Sequence, residues 1–257
     1  MKHISRILMP SLFAVALVGC EKNELRTSNY IDVSQQAQVK VNFFSPYQRN
    51  PTYQIKVSNE RVSNSITRYD TPFPGGGLNT GGGSTADYLS INPGSVDFSV
   101  SIAKMGTNVD SVTLATTTQT LEGGMKYSLY FSDTANNTKT LLVRDTLSRP
   151  DSGFAKYRFV NLQPDLPSAD LYVGTVKVAS AVAYNSVSEP FTLPTNNASA
   201  VWNVRAAGGA TNLASYTGTV GATISNQRIY TVIARGYNSI TATADNRRRN
   251  VSLVYNQ

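Results

Sequence analysis

The chain alternates apolar and polar residues along many short stretches, and almost no stretch has apolar residues at helical spacing. In AQVKVNFF, for example, Val39, Val41 and Phe43 share one side, and VDFSVSI and KYSLYF repeat the pattern. A period of two residues is that of a half-buried β-strand. The strands are short and turn residues separate them at roughly 8 to 12 residue intervals, which favours antiparallel sandwiches over a parallel sheet. We therefore predict an all-β fold.

The second half of the chain repeats the pattern of the first. VKVNFFSP aligns with YRFVNLQP, which sets Pro46 opposite Pro164, and PTYQIKVSNERV then aligns with PSADLYVGTVKV without gaps. Each repeat has the length of a single domain. The sequence thus predicts two tandem antiparallel β-sandwich (immunoglobulin-like) domains, residues 37–145 and 154–257, joined by a linker over 146–153.

The first repeat is the longer one, and PFPGGGLNTGGGST (72–85) accounts for much of the difference. This stretch reads as a long, flexible hairpin insertion in the first domain. A glycine run can also cradle a phosphate group. Here the Lys-Ser/Thr pair of a P-loop is missing, and no helix follows whose N-terminus could hold an anion.

The N-terminus has the layout of a signal peptide. Lys2 and Arg6 precede an apolar run that ends in Leu-Val-Gly-Cys, and Cys20 is the only cysteine of the chain. The run is about half the ~20 residues that span a bilayer as a helix. The sequence Leu-Val-Gly-Cys resembles the lipobox of a bacterial lipoprotein precursor. This resemblance implies that residues 1–19 are removed, that Cys20 is lipidated and that residues 20–36 form a polar tether. A secreted protein with a chance cysteine at its cleavage site is the alternative.

Composition excludes several kinds of chemistry. The only histidine, His3, lies in the segment predicted to be removed, and lipidation would occupy the only thiol. A mature chain without histidine or free cysteine has no Ser-His-Asp or Cys-His nucleophile and no zinc site of the usual ligands. We therefore expect no cofactor and no enzyme activity. The one class of enzyme left open is a carboxylate-dependent glycoside hydrolase, which needs only two acids about 5 to 10 Å apart.

The chain is basic, with 23 Lys and Arg against 16 Asp and Glu and a formal net charge of +7. Much of the excess in the second half is the run Arg247-Arg248-Arg249. A nucleic-acid binder spreads basic residues over a face interleaved with aromatic residues, and this chain does not. We predict no nucleic-acid partner, and we interpret the arginine run as a solvated hairpin tip rather than a polyanion contact.

The stretches AKYRFVNLQPDLPSADLYVGTVKVASAVAY, EPFTLP and RIYTVIARG resemble the bacterial extracellular domain known as domain of unknown function 4397. The resemblance covers nearly all of residues 154–257, whereas the first repeat fits more loosely. It implies a β-sandwich module, often in tandem, in lipoproteins like those of the Bacteroidetes. It implies no activity, because the family has no catalytic residues to carry over.

Candidate sites are few. Asp165 and Asp170 are five residues apart and could begin a metal site, although the neighbouring prolines mark a turn where such an acid usually caps backbone amides. Tyr47, Tyr69 and Phe73 are candidate ligand contacts near turns or the insertion. Trp202 alternates with valine in a strand and is expected in the core.

Three sites match the Asp-Ser/Thr-apolar sequence at which exported Bacteroidetes proteins are O-glycosylated, namely Ser111, Thr134 and Thr146.

The leading functional hypothesis is a cell-envelope lipoprotein, anchored in the outer membrane of a Gram-negative bacterium, that serves as a non-enzymatic binding or assembly module for surface proteins or glycans. The alternatives are a glycan-binding accessory protein of an uptake system and the carboxylate-dependent hydrolase.

Overall fold

The computed structural model describes residues 32–107 and 109–257. The predicted signal peptide, Cys20 and most of the predicted tether lie outside these residues. Within the described part, no helix is long and apolar enough to cross a membrane.

The first half of the chain folds almost entirely into strands. They are β1 (Ala37–Phe43), β2 (Gln54–Val57), β3 (Glu60–Arg61), β4 (Pro72–Phe73), β5 (Gly77–Leu78), β6 (Leu89–Ile91), β7 (Gly94–Ala103), β8 (Asp110–Leu121), β9 (Lys126–Ser132) and β10 (Lys139–Arg144). Two short 3-10 turns, Val33–Gln35 and Ala135–Asn137, accompany them.

The second half follows the same plan. Its strands are β11 (Phe154–Asn161), β12 (Ser168–Val173), β13 (Val176–Ala183), β14 (Ser186–Val187), β15 (Phe191–Pro194), β16 (Val201–Ala206), β17 (Ala214–Thr217), β18 (Ile229–Arg235) and β19 (Asn250–Tyr255). A single helical turn, α1 (Val220–Thr223), precedes β18.

Each half forms two sheets, and corresponding sheets have the same strand order. The outer sheets run β3-β2-β7-β8 and β13-β12-β16-β17. The inner sheets run β10-β9-β1-β4 and β19-β18-β11-β14, with β6 and β15 paired on β1 and β11. The β1–β9 and β11–β18 pairs are parallel, and the other pairs of named strands are antiparallel. The all-β sandwich prediction is confirmed, with a parallel pair inside each inner sheet.

Each sandwich has its own apolar core between its outer and inner sheets. In the first half Val39, Ile55 and Leu129 are fully buried in it. In the second half Trp202 is fully buried, as predicted, and its ring centroid lies 5.0 Å from that of Tyr157.

The two inner sheets also pack on each other. Residues that alternate with the core positions form a third apolar cluster, which we call the central layer: Phe44, Tyr130, Val143, Val160, Leu162, Ile233 and Val254. The inner strands are therefore buried on both faces, and every residue of β18 is buried. Val33–Gln257 forms one compact unit. That 37–145 and 154–257 fold as separate domains stays a prediction.

Equivalent positions of the two repeats meet in the central layer. The alignment of Pro46 with Pro164 makes Lys40 equivalent to Arg158. The strand registers place Arg144 opposite Tyr127 and Tyr255 opposite Tyr230. Aligning YSLYF of β9 with YTVIA of β18 makes Tyr127 equivalent to Tyr230, and therefore Val143 equivalent to Val254 and Asp145 equivalent to Asn256. The halves meet as two copies do in a symmetric dimer, through the same surface of each.

The glycine-rich insertion is not the hairpin that the sequence predicted. Its strands β4 and β5 do not pair with each other: β4 pairs with β1, and β5 pairs with β19 in the other half. The glycines let the backbone of β5 come close to that of β19: a Cβ on Gly77 would lie 1.9 Å from the Leu253 oxygen. A Cβ on Gly76 would lie 1.6 Å from the Gly83 oxygen. Only glycine allows these contacts.

Candidate functional site

A pocket of about 240 Å³ opens where the insertion meets the β18–β19 loop. We call it the polar pocket. From the first half it is lined by Asn50, Arg68, Tyr69, Asp70 and Asn79, and from the second half by Arg235, Thr243, Asp245, Asn246, Arg248 and Asn250. Its lining is almost wholly polar or charged. Both halves must be in place for the pocket to exist.

Asp70 organises one wall of the polar pocket. Arg68 binds it with two hydrogen bonds of 2.9 and 2.7 Å, and the Arg235 guanidinium lies 2.8 Å from the same carboxylate. The side chains of Asp70 and Arg235 are each only 3% exposed. Arg235 also donates to the Tyr69 hydroxyl at 2.6 Å and to the Asn79 backbone oxygen at 3.1 Å. This wall is therefore fixed by charge-assisted hydrogen bonds.

The β18–β19 loop supplies a second part of the lining, and here the prediction of a solvated arginine tip is wrong. All three arginines are partly buried because the loop folds back on itself. Arg249 donates to the Asn238 backbone oxygen at 3.2 Å. Arg247 pairs with Asp245 at 2.8 Å and lowers the pKa of that carboxyl to about 2. Arg248 lines the pocket, and no described residue gives its side chain an ion pair or hydrogen bond.

The three predicted aromatic contacts pack on the core of the first half. Tyr69 is 4% exposed, and of the three only it reaches the polar pocket. Its hydroxyl donates to the Asn246 backbone oxygen at 2.7 Å. Tyr47 stacks on Phe43 with ring centroids 6.4 Å apart, and Phe73 is half-buried in β4. Contact of these three residues with a ligand stays a prediction.

Asp165 and Asp170 are both held by backbone amides. Asp165 accepts from the amides of Asn238 and Ser239 at 2.6 and 2.7 Å. Burial raises the pKa of Asp165, but these hydrogen bonds outweigh it and lower the pKa below its usual value. Asp170 is fully buried and accepts from the amides of Ala181 and Gly208, and Lys177 lies 2.7 Å away. Among the described residues, no three His, Cys, Asp or Glu side chains gather as a metal site.

The three predicted O-glycosylation residues lie apart from the polar pocket. Ser111 and Thr146 are exposed. Thr134 is half-buried and its hydroxyl lies 3.3 Å from that of Tyr237. Their modification stays a prediction.

A second polar cluster lies in the central layer. Arg158 and Asp145 form an ion pair whose side chains are 5% and 3% exposed. Asp145 also accepts from the hydroxyls of Tyr88 and Ser128, each at 2.7 Å. Burial lowers the pKa of the Arg158 guanidinium, but Asp145 outweighs it and raises the pKa above its usual value. Every oxygen of this carboxylate is thus occupied by a neighbour, as expected of a structural ion pair.

A larger groove, with a volume of about 570 Å³, lies elsewhere, at the end of the outer sheet of the first half. Its lining includes Tyr53, Ile102, Ala103 and Met105. Its charged lining residues are Lys104 and Arg61, which donates to Ser63 and Ser65, and no carboxylate among the described residues lines it. We therefore place the candidate site in the polar pocket, where fixed polar groups converge.

Sequence reasoning missed Arg68 and Arg235 of the polar pocket, and it assigned Arg248 to a solvated tip. One signal was present: Arg235 ends the mostly apolar strand IYTVIAR, and Lys40 and Arg158 likewise interrupt β1 and β11. A charged residue in a strand buried on both faces needs a buried partner. The sequence did not identify that partner, because Asp70 lies 165 positions away from Arg235 along the chain.

Two β-sandwiches joined through equivalent sheets, with a polar pocket at their junction, define a tandem β-sandwich protein. The chain belongs to the family described as Domain of unknown function (DUF4397), whose model matches residues 37–168 and 155–252. The resemblance seen in the sequence is thereby confirmed.

Two solved structures are similar at low identity. One is titled "Alpha-glucan binding by a streptococcal virulence factor" and is 9% identical. The match covers 77% of this chain and 92% of that chain, with a TM-score of 0.21. The other concerns alpha-glucan recognition by family 41 carbohydrate-binding modules from streptococcal virulence factors, with 9% identity, coverage of 84% and 96%, and a TM-score of 0.22. TM-scores this low carry no argument about fold or ligand. No curated protein matches the chain.

Proposed function

We propose that the chain is a non-enzymatic binding module, held on the cell envelope by a lipid on Cys20, that captures a hydrophilic ligand in the polar pocket. The observation that carries this proposal is the convergence of fixed polar groups from both halves on one pocket. Ligand sites orient their ligands with such preorganised groups. Glycans are the class of ligand that we favour, because amide, guanidinium and carboxylate side chains are hydrogen-bonding partners for hydroxyl groups.

The occupied carboxylates support binding rather than hydrolysis. Of the acids near the insertion and the junction, Asp70 and Asp145 have their oxygens taken by guanidinium and hydroxyl donors. Asp87 and Asp151 are exposed. A glycosidase needs two acids facing one another across the substrate. We expect no turnover of glycan substrates. If cleavage were measured, and an alanine change at either of two facing acids abolished it, the result would favour a glycoside hydrolase instead.

Filling the pocket tests the binding role. Thr243 is exposed and lines the polar pocket, whereas Thr241, two residues away, is exposed and does not line it. On a glycan array, Thr243→Trp should abolish the binding seen with the unaltered chain, and the matched control Thr241→Trp should retain it. Equal binding by both variants would place the ligand elsewhere.

The location is tested by Cys20→Ser. We propose an outer-membrane anchor, since the Leu-Val-Gly-Cys sequence matches a lipobox. The variant should lose radiolabelled palmitate and leave the membrane fraction. Palmitate incorporation into the variant would refute the anchor.

A further inference from the structure

We propose that the polar pocket binds a sugar unit that carries a carboxylate, such as a uronic acid residue of an acidic glycan, and that Arg248 binds the carboxylate. This inference rests on the proposed function and names the ligand class of the same site.

Positive charge exceeds negative charge around the pocket, because two carboxylates lie among four arginines, and this excess favours an anionic ligand. Asp70 lies between Arg68 and Arg235, and Asp245 pairs with Arg247. Both carboxylates of the lining are therefore already matched by guanidinium groups. The remaining arginine, Arg248, has no ion pair or side-chain hydrogen bond with any residue that the structure describes. A free, partly buried guanidinium beside matched charges favours an anionic ligand, and its planar donor fork fits a carboxylate in two parallel hydrogen bonds.

The neutral groups favour a sugar over an inorganic anion. Asn250 accepts from Asn79 at 2.9 Å and from the Val251 amide at 2.9 Å through its side-chain oxygen. Within the described structure its amide nitrogen has no partner, so it remains a donor. Thr243 and the side-chain oxygens of the pocket supply acceptors. Sugar hydroxyls donate and accept, whereas phosphate oxygens mainly accept and would leave these acceptors unpaired.

The size of the pocket limits the ligand to one unit. Sites for drug-sized molecules have volumes of about 300 to 1,000 Å³, and the polar pocket has about 240 Å³. A single monosaccharide is the part of a glycan that fits. The adjoining units of the glycan would lie outside the pocket, in solvent.

Calorimetric titration of the full chain tests the assignment. The probes are methyl glucuronide, methyl glucoside and inorganic phosphate. The unaltered chain should bind the glucuronide about 10- to 100-fold more tightly than the glucoside, which is the factor expected from one charge-assisted hydrogen-bonded pair. Arg248→Gln should reduce this ratio to about one. Arg149→Gln, which removes an exposed arginine away from the pocket, should leave the ratio unchanged.

Each other outcome overturns a defined part of the inference. Equal affinity of the unaltered chain for both glycosides would overturn the carboxylate and leave the proposed function standing. Tighter binding of phosphate than of glucuronide would overturn the sugar. A preference that survives Arg248→Gln, with an unchanged melting curve, would overturn the role of Arg248. Failure of both glycosides to bind would overturn the inference, while the Thr243→Trp array comparison decides the proposed function separately.

Discussion

Lys40 and Arg158 occupy equivalent positions in the two repeats, and one difference between their surroundings is a carboxylate. Arg158 donates to the backbone oxygen of Arg144 at 2.9 Å, and Lys40 donates to the equivalent backbone oxygen, that of Tyr255. Arg158 also has Asp145 as an ion-pair partner. The residue equivalent to Asp145 in the second repeat is Asn256, which carries no charge.

This difference shows how a duplicated surface becomes an interface. The ammonium of Lys40 lies 4.7 Å from the centre of the Tyr88 ring, with no carboxylate in ion-pair contact among the described residues. Burial lowers the pKa of Lys40 to about 8, against the opposing effect of Asp145. One buried cation is thus matched by a carboxylate and its counterpart is held by neutral groups. The two halves of the central layer should respond differently to the same kind of change.

The largest effect is expected from removing the matched cation. Arg158→Leu would leave the Asp145 carboxylate buried without its partner, which typically costs about 3 to 5 kcal/mol. The free energy of unfolding, measured by urea denaturation, should fall by that amount. The double variant Asp145→Asn, Arg158→Leu should recover a large part of the loss. A loss below about 1 kcal/mol in the single variant would show that the pair is solvated.

A second asymmetry is the strand that the first half contributes to the second. In Gly77→Ala the new Cβ would meet the Leu253 oxygen, so β5 must move away from β19. We expect the free energy of unfolding to fall by about 1 to 3 kcal/mol, as for other overpacked sites. A Cβ at Gly83 meets no atom within 4 Å, so Gly83→Ala is the matched control and should stay within about 0.5 kcal/mol of the unaltered chain. Equal effects of the two changes would argue against the β5–β19 pairing.

The unmatched cation should make stability depend on alkaline pH. The folded chain releases the Lys40 proton near pH 8, whereas the unfolded chain holds it to about 10.5. Between these values the unfolded state binds more protons, so stability rises with pH. The rise should be on the order of 0.5 to 1 kcal/mol from pH 7 to 8.5, a range well below the pKa of about 10 of unfolded tyrosines. Among the neighbouring charged groups, Asp145 and Asp87 raise the pKa of Lys40, and Lys126 and Arg158 lower it.

Urea denaturation across this pH range measures the rise, and Lys40→Met should remove it. A rise of the same size in Lys40→Met would assign it to another group.

The smallest effect is expected from the same variant at pH 7. Lys40→Met keeps most of the side-chain volume and removes a buried charge that has no ion-pair partner, so the change should cost less than about 1 kcal/mol or stabilise the chain. The difference between the free energies of unfolding of Lys40→Met and Arg158→Leu measures the effect of the Asp145 carboxylate on a buried cation. A loss as large as that of Arg158→Leu would contradict the comparison.

Much of the fold was predictable because alternation is a local property. Val39, Val41 and Phe43 appear in the sequence as one face of a strand, and the structure buries that face. The same alternation predicts polar residues such as Lys40 and Asn42 on a solvated face. The structure buries that face as well, because a second sheet with the equivalent residues covers it. The alternation along one strand does not predict whether solvent or a second sheet covers its polar face.

The candidate site was less predictable because it joins distant segments. Arg235, Asp70 and Arg248 come from β18, the segment before the insertion and the β18–β19 loop. The aromatic residues singled out in the sequence were chosen because they lie near turns, and in the structure their rings pack in or against the core of the first half. The glycine run was recognised, but which backbone approaches Gly77 depends on the packing of the other repeat.

The sequence by itself determined the all-β class, the duplication and the family, because these follow from side-chain period and from residue identities at fixed spacing. The tertiary structure alone decided that one pair of strands in each inner sheet is parallel, that the two repeats meet through equivalent sheets, and that the insertion adds a strand to the sheet of the other repeat. These features depend on which surfaces exclude water together, and that is a property of the whole packed chain rather than of any one segment.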